Sequence, residues 1–157
     1  MVTVNEYKTF WNYLVTVVSG IDQVIIAHED SDLAGMIRDI EAGKVLLMAI
    51  IPSSDVVANN IDNYEEIDSC YVFVIKKSDP ANLTHDESLT EIGQMQQIMT
   101  LVKHKLIELS GDFDHCSNAN IVLMHRLIIS SIHTEPEYNL LGCNGYGLFF
   151  KLKTVGV

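Results

Sequence analysis

Between Asp86 and Leu109 the apolar residues Leu89, Ile92, Met95, Met99, Val102, Leu106 and Leu109 recur at steps of three and four. That spacing puts them on one face of an α-helix and predicts a long amphipathic helix over about 86–109. Its start carries two overlapping capping boxes, Thr84 with Glu87 and Ser88 with Glu91. Asp86, Glu87 and Glu91 lie at the positive end of the helix dipole and Lys103, His104 and Lys105 near the negative end. Ser110-Gly111 offers a stop, with glycine free to turn left-handed. Gln94, Gln97, Thr100, Lys105 and Glu108 form the face toward water. An earlier stripe of Tyr7, Phe10, Trp11, Leu14, Val17 and Val18 predicts a first helix over Val4–Val18, with Asn5 as its cap and Ser19-Gly20 as its end.

Strands are read from shorter runs. Gln23–Ala27 is a short extended apolar segment. Asp30 or Ser31 would cap a short helix over Asp32–Glu41, with Leu33, Met36, Ile37 and Ile40 inward and Gly43 closing it. Val45–Ile51 is apolar at every position, which implies a strand buried on both faces, ended by Pro52. Ser53–Asp68 is polar and acidic and is expected to be mostly a long loop, of the kind that carries function or moves. Cys70–Lys77 is a second strand, and Ser78–Leu83 crosses into the long helix. Ile121–His133 is expected to be a third strand with His125 and His133 on one face, and Arg126 there needs a carboxylate partner or an exposed end. Thr134–Gly145 reads as a turn region containing Pro136. Tyr146–Thr154 alternates, with Leu148, Phe150 and Leu152 inward and Lys151 and Lys153 toward water. The sum is a single α+β domain over 1–157, with a mainly antiparallel sheet of about four strands and both helices packed on it.

Composition narrows the function classes. With 157 residues and 48% hydrophobic content the chain can bury a proper core. No run of apolar residues is long enough to span a membrane, and the N-terminus has no basic start followed by an apolar block. Cys70, Cys116 and Cys143 are odd in number and show no paired spacing, which fits free thiols. The net charge is −11, and eleven carboxylates against two cations between residues 21 and 69 concentrate it there as a local −9. Such a surface repels phosphate backbones and anionic lipid, so neither sequence-specific nucleic-acid binding nor membrane binding is expected.

Candidate chemistry is sparse. His28-Glu29-Asp30-Ser31-Asp32 holds one imidazole and three carboxylates, but the spacing is too dense for a zinc site and reads as a solvated loop and cap. His125 and His133, eight residues apart on one strand, would be separated by roughly 26 Å. His104 could approach His115 and Cys116 in the following loop, which makes a thiol centre conceivable. Asp62, Glu65, Glu66 and Asp68 read as a solvated charge run. Gly142-Cys143-Asn144-Gly145-Tyr146-Gly147 precedes a strand rather than a helix, so it is a turn or bulge and no phosphate cradle. No catalytic, cofactor-binding or metal-ligating residue is assigned, no cofactor is implied, and no enzymatic activity is expected.

The order of elements, together with the ending NLLGCNGYGLFFKLK, its Asn139 and Gly142, and the strand after Tyr146, resembles the small tail-completion or tail-terminator proteins of tailed bacteriophages and of prophages in Bacteroides-type hosts. Related structural proteins occur in contractile injection systems. The resemblance implies a structural virion protein of the tail or head–tail connection, made in the host cytoplasm. It implies self-association into a ring that meets other tail or connector proteins, with the acidic segment lining a lumen or a subunit interface. Two other classes stay open: a small metal- or thiol-dependent enzyme around His28 or His104–Cys116, and an intracellular protein-binding adaptor using the Phe10/Trp11 face.

Overall fold

A computed structural model describes residues 1–28, 35–60, 63–78, 82–112, 114, 118–140 and 142–155. Helix α1 spans Val4–Val17 and helix α2 spans His85–Ser110. The strands are β1 (Gln23–Ala27), β2 (Val45–Asn60), β3 (Asn63–Lys76), β4 (Leu127–Leu140) and β5 (Cys143–Val155). They form one five-stranded sheet in the order β1-β2-β3-β5-β4. The fold is α+β as expected, but the sheet is mixed and has five strands, because β1 joins it parallel to β2 while the other pairs are antiparallel. A parallel neighbour needs a crossover. The connection from β1 to β2 supplies it, with a helical turn at 35–38 that buries Ile37.

Both helices are capped by the same local chemistry. The Thr3 and Thr84 hydroxyls accept from the N–H groups of Glu6 and Glu87, and each glutamate carboxylate accepts in return from its threonine N–H at 2.9 and 2.8 Å. Thr3 therefore caps α1 in place of Asn5, and of the two boxes available to α2 the one at Thr84 forms. Ser88–Glu91 is not a second cap: Glu91 turns inward, and its Oε1 lies 3.2 Å from Lys76 Nζ. Gly111 ends α2 with φ −99°, not left-handed, its N–H donating to the carbonyls of Glu108 and Leu109. The α2 stripe from Ile92 to Leu109 is buried, whereas Leu89, one turn earlier, is 48% exposed because it lies ahead of the sheet's cover.

Both helices lie on one face of the sheet. Tyr7, Phe10, Trp11 and Leu14 of α1 and Met95, Met99, Val102 and Leu106 of α2 pack on Leu47, Ala49, Cys70, Val72, Val74, Leu148, Phe150 and Leu152. Trp11 is fully buried, edge-on to Tyr7 and Phe10 and tilted against Phe150. On the other face, Ile37 covers a smaller cluster of Ile25, Ala27, Leu46, Met48, Ile75 and Cys143. Strand β2 is thus buried on both sides over Leu46–Ala49, as its unbroken apolar run requires.

Three expected boundaries are corrected. The segment expected as a loop over Ser53–Asp68 is the outer half of a β2–β3 hairpin. Pro52 does not end β2, because the register slips between Ile50↔Tyr71 and Ser53↔Ser69 and the extra residue there leaves no ladder bond for the missing N–H to break. The expected third strand begins instead with a 3₁₀ helix over Val122–Arg126. Leu123 and Met124 are both buried there, which adjacent strand residues facing opposite sides of a sheet could not achieve against one core. Finally, β4 runs through the expected turn region to Leu140, and it tolerates Pro136 because it is an edge strand.

Candidate functional site

The residues singled out by sequence do not assemble into one centre. His28 is exposed, and Glu29–Asp32 lie outside the described residues, as do His115, Cys116 and Asp62. Among the described residues no group of three histidines, cysteines or carboxylates is placed to hold a metal ion. His104 is exposed on α2. His125 and His133 do not share a strand: His125 sits in the 3₁₀ helix with Nε2 3.0 Å from the Asp112 carbonyl, and His133 is exposed on β4, 3.7 Å from Glu135. Arg126 finds the carboxylate it needs in Glu6 Oε1, at 3.3 Å. The charge run is not wholly solvated. Glu65 pairs with Lys153 at 2.6 Å, Glu66 holds the Met1 amine, and Asp68 is 1% exposed and accepts from the Val2 N–H.

The described thiols are poor nucleophiles. Burial, and next the Asp68 charge, push the Cys70 thiol far above its ordinary range. Burial also raises that of Cys143, against the opposing influence of Lys77. Phe10 and Trp11 are fully buried, which removes the face on which an adaptor reading depended. The glycine cluster does structural work. Gly142 turns β4 into β5 with φ +80°, and at Gly145 a Cβ would lie 2.3 Å from the Val74 carbonyl oxygen.

Three surface features stand out among the described residues. An open cleft of about 730 Å³ runs beside β1 between Gln23–Ile26 and Met36, Asp39, Ile40 and Glu41. Its most placed carboxylate, Asp22, is occupied by the Val45 N–H at 2.8 Å and by Lys44 at 3.7 Å.

The second feature is an arm, the outer half of the β2–β3 hairpin, along which the β2 edge is open among the described residues. Strand β1 pairs only with Leu46–Ile50, and β5 accompanies β3 only as far as Glu65. Beyond Ile50 the outer edge of β2 has no neighbour among the described residues, while β5 still flanks β3 at Glu65 and Glu66, the partners of Val57 and Val56. Val56 and Val57, 64% and 55% exposed, face opposite sides there.

The third is the half of the sheet's outer face that no described helix covers. Tyr71 stacks obliquely on Phe149 with ring centroids 4.9 Å apart. They border a groove of about 190 Å³ shared with Phe73, His133, Glu135 and Glu137. Burial, and then the Glu135 charge, hold the Glu137 carboxyl above its usual range. Its Oε1 lies over Gly147, only 3.1 Å from where a Cβ would be, so the missing side chain makes room for it.

No protein-family model matches the sequence, and no curated protein matches it at a significant level. Among the described helices none is long and apolar enough to cross a membrane.

Proposed function

We propose that this protein is a structural subunit that acts by self-association, of the kind found as ring-forming tail-terminator or tail-completion components of phage virions. The observation that carries this reading is the β2–β3 arm. A strand whose outer edge lacks a neighbour among the described residues beyond Ile50, and which exposes Val56 and Val57 on opposite faces, is a template for another chain. Catalysis would need convergent titratable groups, and in the cleft beside β1 the Asp22 carboxylate is already held by the Val45 N–H and by Lys44. The acidity of segment 21–69, part of which lies on the arm, suits a protein partner or a lumen wall.

Size-exclusion chromatography with light scattering tests the reading, with electron microscopy of any large species. The expected result is a concentration-dependent oligomer that Val56→Asp with Val57→Asp reduces. A strict monomer at high concentration refutes it. The competing enzyme reading around His28 or His104–Cys116 predicts a stoichiometric metal or a hyper-reactive thiol, which elemental analysis and thiol titration would detect.

A further inference from the structure

We propose that the uncovered half of the sheet is a second contact, in which two copies of this chain pack face to face with Lys151 of each against the Glu135/Glu137 carboxylates of the other. The inference rests on the groups around Phe149 and not on the open β2 edge, although Val57, opposite Glu65, lies toward one end of the same face.

The argument is one of charge complementarity about an aromatic centre. Along β5 the outward positions alternate: Gly147, Phe149, Lys151, Lys153. Phe149 is paired with Tyr71 on β3, and the two rings form the apolar middle. The Glu137 carboxylate lies over Gly147, two residues to one side, and Glu135 is the β4 partner of Gly147. Lys151 lies two residues to the other side. At ~3.3 Å per residue these are roughly 7 Å on either side of Phe149. A two-fold axis lying between two such faces, across the strands and over Phe149, exchanges the two ends. It sets the acidic end of one copy over the basic end of the other and the aromatic pairs over each other. An isologous contact of this kind is self-complementary by construction, and strands of two packed sheets run close to parallel or antiparallel, as this axis requires.

The local pairings favour Lys151 and Glu137 as the exchanged groups. Lys153 is taken by Glu65, and Glu135 faces His133. Among the described residues Lys151 and Glu137 are in no ion pair, although both are half-buried. A partner's ammonium beside Glu137 would offset the burial and the Glu135 charge that oppose its ionisation. Tyr71, 47% exposed on a sheet face, has a large aromatic surface to bury.

The test is sedimentation velocity of the full chain across a concentration series. It is made in the background of Val56→Asp, on the open β2 edge but facing away from the Lys151 side of the sheet, so that association through the arm is weakened without altering the proposed face. The expected species is a dimer. Lys151→Glu or Glu137→Lys alone should weaken it about tenfold or more, and the charge-swapped double variant should return it to within about threefold of the parent. Tyr71→Ala should weaken it as well. A monomeric arm variant overturns the proposal, as does a dimer indifferent to these changes or a double variant no tighter than either single one. If the arm variant forms this dimer and the unaltered chain forms nothing larger, the ring reading fails while the face contact stands.

Discussion

Replacing Gly145 with alanine places a methyl group where the neighbouring strand already is. The added Cβ would sit 2.3 Å from the Val74 carbonyl oxygen, 2.6 Å from Ile75 Cγ2 and 2.9 Å from Ile75 Cα. Two of these three atoms are main chain, and Val74 and Ile75 are fully buried. A rotamer change therefore cannot relieve the overlap, and β3 and β5 must separate locally. Overpacking a filled core costs about 1–3 kcal/mol, and a backbone clash belongs at the upper end of that range. The reduced freedom of the unfolded chain returns at most ~1 kcal/mol. The net loss is about 2–3 kcal/mol, a large part of a typical stability of ~5–15 kcal/mol. At this chain length it should lower Tm by roughly 5–10 °C.

Trp11, the single tryptophan and fully buried, gives a fluorescence readout for urea unfolding. The midpoint should fall with little change in slope. Gly93→Ala is the internal control. It lies in α2 with nothing within 4 Å of the new Cβ, so it should raise stability by about 0.5–1 kcal/mol. A Gly145→Ala protein within about 0.5 kcal/mol of the parent would refute the packing argument.

Lys76→Met leaves Glu91, 8% exposed and with Oε2 already unpartnered among the described residues, without its ion pair. The expected loss is about 1–3 kcal/mol by urea titration, and Lys76→Met with Glu91→Leu should recover most of it. For Glu6, burial raises the carboxyl pKa, but the Thr3 N–H and hydroxyl bonds and the Arg126 charge outweigh it and leave the pKa below its usual range. The unfolded chain then takes up that proton first as pH falls. This contribution is complete above the ordinary carboxylate range and is lost as pH drops through the lowered value. Urea midpoints from pH 7 downward should therefore fall less steeply for Glu6→Gln than for the parent. Cys70 and Cys143 are buried with raised thiol pKa values, so mass-mapped alkylation should label them only on unfolding. Prompt labelling of either in the native state would contradict the packing around it.

Helix α2 was legible because two independent signals agree at its start, periodic burial and the Thr84/Glu87 cap. The outward direction of Lys151 and Lys153 and the inward direction of Leu148, Phe150 and Leu152 were legible for a similar reason: clean alternation records one covered face and one open one. The parallel pairing of β1 with β2 leaves no local trace, since it depends on a crossover and not on a turn. Pro52 misled because proline ends strands in general, yet at a bulge it costs no hydrogen bond. The Asn-rich stretch Asn59-Asn60-Ile61-Asp62-Asn63 was the available turn signal for the hairpin, overshadowed by the acidity around it. Ile121–His133 failed for a different reason. An apolar run without alternation does not distinguish a strand from a 3₁₀ turn that buries two neighbours together. The Tyr71–Phe149 face could not be read at all until the register placed residues 78 apart in sequence opposite each other.

The arm is the far end of the same two strands that run through the middle of the sheet. A pull on its tip along the strand direction draws β2 and β3 together past their neighbours. The ladder joining β3 to β5 is twelve positions long, from Glu65↔Val155 to Lys76↔Asn144, and its bonds lie across the line of force. They would be strained side by side and not opened in turn, so a load taken up at the tip passes into the whole domain as into a beam anchored in a wall.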